Sequence, residues 1–124
     1  MKKIIATDQA PAAIGPYSQA TEANGIIFIS GQLPINPESG QMSGNIREQT
    51  KQSLENTKAI LKEAGLTLKD VVKATVLLKN ISDFGAMNEV YAQFFENEPP
   101  ARAAYEVANL PKDALVEIET IASR

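Results

Sequence analysis

The sequence predicts an α+β fold, a mostly single mixed β-sheet carrying two helices on one face. Three observations predict it. Residues 71–79 alternate: Val72, Ala74, Val76 and Leu78 share one side, and Val71, Lys73, Thr75, Leu77 and Lys79 the other, the period of a strand with one strongly apolar face. Leu54, Thr57, Leu61 and Ala64 recur at helical spacing within 45–64. Asn24-Gly25, between two apolar runs, is a hairpin signal because both residues tolerate positive φ.

Taken in order, a short extra strand at 2–5 precedes an ordered loop at 8–16 that contains Pro11, Gly15 and Pro16. Tyr17 to Ala23 reads as a strand, and Ile26-Ile27-Phe28-Ile29-Ser30 returns from the turn as a buried strand ending at Gly31. Residues 32–44, rich in Pro, Asn, Ser and Gly, form a long loop. Asn45 followed by Glu48 is a capping pair for the first helix, and Gly65 suits the position just past its end. After the strand at 71–79, Ser82 or Asp83 caps a second helix with the stripe Phe84, Met87, Tyr91 and Phe94. That helix must stop before Pro99-Pro100. Two strands, roughly 102–108 and 114–123, are joined by Asn109-Leu110-Pro111-Lys112-Asp113. The order ββαβαββ leaves a second sheet face that is part apolar and part polar: Val71 and Leu77, then Leu115 and Ile121 beside Glu117 and Glu119. A face that the chain cannot cover itself predicts an oligomer.

A length of 124 residues fits one domain over 1–124. The net charge is −3 and the basic residues are scattered, which argues against nucleic acid as a partner. No apolar run spans a bilayer, and Met1 to Asp8 turns polar too soon for a secretory signal, so the expected compartment is the cytoplasm. The chain has no His, Cys or Trp. That removes Ser-His and Cys-His nucleophiles, thiolate chemistry, disulfides and zinc sites built on His or Cys. Residues 36–44 lack the spacing of a calcium loop. No metal or cofactor is expected, and chemistry must run on the remaining polar side chains, backbone groups and water.

Pro100-Ala101-Arg102-Ala103-Ala104-Tyr105 is then the most informative stretch, with Glu117 fifteen residues beyond the arginine. Arg102, one of three arginines, opens a short apolar strand among small residues that leave room for a ligand. Its planar fork matches a carboxylate bidentately. The plainer reading is a strand-end arginine pairing with Glu106 or Asp113. Glu117 lies between Val116 and Ile118, on the same face as Leu115, Glu119 and Ile121. It reads either as a sheet-face carboxylate meeting a lysine or as a partly desolvated acid–base group, a role for which Glu119 competes. Tyr17 could wall a pocket or simply pack. Gly31 could bring backbone N–H groups to a ligand or merely end a strand. Asn88 and Asn56 are compatible with plain surface positions.

These residues carry a family resemblance. Ala10-Pro11-Ala12-Ala13-Ile14-Gly15-Pro16-Tyr17-Ser18-Gln19 and Ser30-Gly31-Gln32-Leu33-Pro34 resemble the N-terminal blocks of the RidA (YjgF/YER057c/UK114) family. Gln49-Thr50, Asn56, Ala64-Gly65 and Val71-Val72-Lys73-Ala74-Thr75-Val76 follow its middle. Phe84, Met87-Asn88, Tyr91 and Phe94-Phe95 resemble its second helix. Pro100-Ala101-Arg102, Val107-Ala108, Leu110-Pro111-Lys112-Asp113 and Val116-Glu117-Ile118 resemble its C-terminal signature. The resemblance implies a chorismate-mutase-like homotrimer with clefts between subunits. It implies hydrolysis of reactive enamines and imines (2-aminoacrylate, 2-iminopropanoate, 2-iminobutanoate) to 2-oxo acids and ammonia. It also implies a functional link to the pyridoxal-phosphate-dependent dehydratases that release such species from serine or threonine. In that reading Arg102 holds the substrate carboxylate and Glu117 positions and activates water. Tyr17, Ser30, Gly31, Phe84, Asn88 and Ala104 line the cleft. Active deaminases of the family often have cysteine where this chain has Ala104; their mechanism uses the backbone carbonyl there, which alanine keeps. The alternatives are a non-catalytic module binding a 2-oxo acid or similar carboxylate, a regulatory partner, or an endoribonuclease, against which the net charge argues.

Overall fold

The structure, a computed structural model, describes Met1–Arg124. The chain forms β1 (Lys3–Ile5), β2 (Ala20–Ala23), β3 (Ile26–Gln32), α1 (Ile46–Glu63), β4 (Val71–Leu78), α2 (Phe84–Phe94), β5 (Ala101–Glu106) and β6 (Val116–Ser123). Short 3-10 turns lie at Leu68–Asp70, Ile81–Asp83 and Pro111–Asp113. The strands make one mixed sheet in the order β1-β2-β3-β6-β4-β5. Only β4 and β5 run parallel, and α2 supplies the crossover that a parallel pair requires. No helix is long and apolar enough to cross a membrane.

Local chemistry accounts for most element ends. Asn24 and Gly25 have φ of 53° and 77°, the double positive φ of a two-residue hairpin turn, with Ala23 opposite Ile26. Asn45 Oδ1 accepts from the Glu48 N–H at 2.8 Å and caps α1. At the other end Leu66 N–H donates to Leu61 O and Gly65 N–H to Lys62 O, the paired bonds of a Schellman stop. α2 starts differently from the sequence expectation. Neither Ser82 nor Asp83 caps it with a side chain; the Ile81–Asp83 turn leads in, and Glu106 accepts from Ile81 N–H at 2.9 Å.

Tyr17 to Gln19 lies outside β2, because the turn at Gly15-Pro16 ends with Tyr17 N–H on Gly15 O and the buried Gln19 side chain is committed to the loop. Gln19 accepts from Thr7 N–H at 2.7 Å and donates to Pro11 O at 2.8 Å. β3 runs on to Gln32 through a bulge between Ile29 and Gln32. β4 has its own bulge between Val71 and Lys73, so Val71, expected on the second face, is buried and Val72, expected in the core, is 49% exposed.

The core lies between the helices and one sheet face. Leu54, Ile60, Leu61 and Met87 meet Ile27, Val76, Leu78, Val116 and Ile118, all with no exposed surface. Polar groups of α1 order the long loop: Asn56, buried rather than superficial, donates to Leu33 O and Ile35 O, and Gln49 donates to Ser43 O and accepts from Leu115 N–H. The opposite sheet face is uncovered. Ile4, Phe28 and Tyr105 there keep 53%, 48% and 49% of their surface.

Candidate active site

Arg102 is positioned by the edge strand β5 and by α2. The strand register runs Ile5, Ala20, Ile29, Thr120, Ala74, Arg102 across the sheet, which places Arg102 at the end of a row on the helix-covered face. Its Nη1 donates to Asn88 Oδ1 at 2.7 Å. The guanidinium carbon lies 5.5 Å from the Phe84 ring centroid and 4.8 Å from that of Tyr91. The carboxylates that sequence reading offered are engaged elsewhere: Asp113 pairs with Lys79 at 2.6 Å and Glu106 accepts from Ile81 N–H. Arg47 pairs with Glu89 and Arg124 with Glu22, whereas Arg102 has no carboxylate within salt-bridge distance. A half-buried cation so placed has donors free for an anion.

The strand edge adds backbone groups to this cation. Val107 N–H donates to Leu78 O. Parallel-ladder parity then turns the N–H and C=O of Arg102 and Ala104 away from β4, toward the open edge. Ala104 therefore offers its carbonyl beside Arg102.

Glu117 belongs to a second cluster. It lies opposite Leu77 on the uncovered face, in a row that continues to Tyr105. Its carboxylate rests on Gly31: a Cβ at that glycine would stand 2.1 Å from Oε2. Only glycine permits so close an approach. Burial of the carboxyl, and to a lesser degree the neighbouring charge of Glu119, pushes its pKa above the ordinary 4.5. Ser30, beside Gly31 in the bulge, donates its hydroxyl to Ser18 O at 2.6 Å, which ties the segment carrying Tyr17 to β3. The Tyr17 side chain is 53% exposed.

Of the residues predicted from sequence, one chain unites Arg102, Asn88, Phe84 and Ala104 in one group and Glu117, Gly31 and Ser30 in another. It does not unite the groups. β4 separates β5 from β6, and the two side chains point to opposite sheet faces. Tyr17 lies near the far edge of the sheet, where it precedes β2. Tyr91 was legible as part of a core stripe and of the family resemblance, without a role in the site. It is also the nearer aromatic face against Arg102, and its one signal was its place one turn after Asn88. A groove of about 1110 Å³ lies elsewhere, on the outer side of α1 between Thr7, Lys62, Lys69 and Phe94; it mixes charges of both signs and contains neither group.

A family model described as Endoribonuclease L-PSP matches residues 7–124. A RutC family protein of Pyrococcus horikoshii is 56% identical over 98% of this chain and 98% of its own. A protein of Bos taurus named 2-iminobutanoate/2-iminopropanoate deaminase is 56% identical over 98% of this chain and 90% of its own. Among solved structures, E. coli TdcF with bound serine superposes with a TM-score of 0.95 at 46% identity, covering 98% of both chains.

Proposed function

This chain belongs to the endoribonuclease L-PSP family, the YjgF/RidA family, and from that membership we propose that it hydrolyses reactive enamines and imines, namely 2-aminoacrylate, 2-iminopropanoate and 2-iminobutanoate, to 2-oxo acids and ammonia. The observation that carries the reading is Arg102: a half-buried guanidinium without an internal carboxylate, oriented by Asn88 and flanked by Phe84 and Tyr91 at an open strand edge. The bovine relative bears the name of this activity, and the serine held by TdcF is an amino acid of matching size.

In this reading Arg102 grips both carboxylate oxygens and fixes the plane of the adjoining C–N group. The C=O of Ala104 receives the imine N–H. 2-Aminoacrylate gains a proton at its β-carbon and becomes an iminium ion. Water adds to the iminium carbon and loses a proton, giving a carbinolamine. After the nitrogen is protonated the carbinolamine hydroxyl gives up its proton and the C–N bond breaks, releasing ammonia and leaving the 2-oxo acid. Glu117 positions the water and takes its proton; a raised pKa brings the group closer to the operating pH, where it can accept and return protons. The iminium carbon is already electrophilic, so orientation and one acid–base group suffice.

The two groups of one chain must be completed by a second copy. A homotrimer with clefts between subunits joins Arg102 of one copy to Glu117, Gly31, Ser30 and Tyr17 of its neighbour, and the uncovered apolar face supports such docking. Pyridoxal-phosphate-dependent dehydratases acting on serine or threonine supply the substrates. A ribonuclease reading finds little support: two of the three arginines are tied to Glu89 and Glu22, and the net charge is −3.

A coupled assay tests the proposal. A threonine dehydratase generates the imine, semicarbazide competes for it, and 2-oxo acid is followed with and without this protein. The protein should accelerate 2-oxo acid release and suppress semicarbazone formation. Identical traces with and without it would overturn the reading.

A further inference from the structure

The bulge in β3 creates a need that a regular strand does not have. Between Ile29 and Gln32 the pairing with β6 slips, so two residues, Ser30 and Gly31, occupy the space of one. The carbonyls of this irregular segment need partners, since a buried carbonyl left unpaired is costly. Two buried side chains supply them. Gln32, 5% exposed, turns back and donates its amide to Ser30 O at 3.0 Å. Ser53 of α1, fully buried, donates its hydroxyl to Gln32 O at 3.0 Å. Thus the carbonyls on both sides of Gly31 are held from the core, while Ser30 N–H is held from the other flank by Gln19 O at 2.9 Å.

What rests on this clamped segment is the Glu117 carboxylate, lying where a Cβ of residue 31 would be. The position of Gly31 therefore decides how far that carboxylate is withdrawn from water. We propose that Gln32 and Ser53 are positioning residues for Glu117, locking the Ser30–Gly31 bulge as the seat of its carboxylate. Neither touches the substrate; both act through the backbone of Gly31. The catalytic half of this inference rests on the role of Glu117 argued above, whereas the geometric half does not.

The test uses Ser53→Ala, Ser53→Thr and Gln32→Met in the full-length protein. The Glu117 carboxyl titration is read by carbon NMR, kcat and KM by the coupled assay, and folding by circular dichroism. Ser53→Ala and Gln32→Met should each move the Glu117 titration down toward the ordinary carboxylate range. They should lower kcat about tenfold while KM stays within about twofold, because the carboxylate grip lies on the other group. Ser53→Thr keeps the hydroxyl and should restore both readouts. Adding Ser53→Ala to Glu117→Gln should lower kcat no further. An unmoved Glu117 titration in folded Ser53→Ala overturns the proposal, and so does an equal loss of kcat in the Glu117→Gln background, the mark of a merely structural role. Ser53→Ala decides alone if Gln32→Met does not fold. Full activity in Glu117→Gln would instead sink the assignment of Glu117, and the titration would still decide the seat.

Discussion

Arg102 can donate five hydrogen bonds, and the chain takes one of them, through Asn88. The guanidinium lies beside the rings of Phe84 and Tyr91, on the edge strand β5. A substrate of a few heavy atoms has one strong handle, its carboxylate, and a planar fork fixes both its position and its plane. Lysine retains the charge without the fork. Arg102→Lys should therefore fold and lose most activity, and Arg102→Ala should lose nearly all of it. Truncating one partner of a desolvated charge pair costs on the order of 2–5 kcal/mol, or roughly thirty- to several-thousand-fold in affinity. Steady-state kinetics on 2-aminoacrylate check this, and activity of folded Arg102→Ala within about twofold of wild type would refute it. Gly31 tests the other group. The three atoms nearest a new Cβ belong to the flexible Glu117 side chain, so Gly31→Ala is relieved by moving that side chain away. Denaturant unfolding should register a change below about 1 kcal/mol, while activity falls with the displaced carboxylate.

At the scale of elements, β6 carries a carboxylate whose ionisation opposes folding. The pKa of Glu117 is raised in the folded chain, first by burial and then by Glu119, so the unfolded chain ionises more readily. Stability is therefore lost as pH rises through the ordinary carboxylate range up to the raised folded value, and the penalty vanishes below both. Glu117→Gln should raise the melting temperature at neutral pH, and the gain should shrink as pH falls through that window. A gain independent of pH would assign the effect to packing. Glu117→Gln should also lower the hydrolysis rate by about 10²–10⁴. Legibility in the sequence follows the same scale. The Asn24-Gly25 turn and the ends of α1 were readable because their causes lie within a few residues. Val72 was misplaced because a bulge is a property of two strands, and the pattern of either one alone still alternates. The α2 start misled because Ser82 and Asp83 have the chemistry of caps without the geometry. Arg102 and Glu117 were readable as chemical types. Their opposite faces were not, because those depend on β4 entering between β5 and β6 and on a parallel pairing set by long-range contacts.

The whole molecule imposes the strictest condition. Arg102 is at the β5 edge on the helix face, Glu117 is two strands inward on the other face, and no rotamer carries either side chain through the sheet. The proposed cyclic assembly would resolve this, because in a head-to-tail ring each interface joins unlike surfaces of identical chains. Light scattering should give three times the mass of the chain; a monomer mass would remove the shared cleft. The sharper consequence is complementation. Arg102→Ala destroys one surface of every copy and Glu117→Gln the other, so each variant alone assembles only crippled clefts. In mixed trimers, a cleft that takes Arg102 from a Glu117→Gln chain and Glu117 from an Arg102→Ala chain is intact. With equal and random mixing, roughly a quarter of clefts are of this kind, so co-refolded variants should recover roughly a quarter of wild-type activity. Two affinity tags, one on each variant, isolate the mixed trimers and show that mixing occurred. If such trimers stay as inactive as the parents, Arg102 and Glu117 do not serve one cleft from different copies. If they recover, the opposite-face placement of the two groups is what makes this fold active only as an assembly.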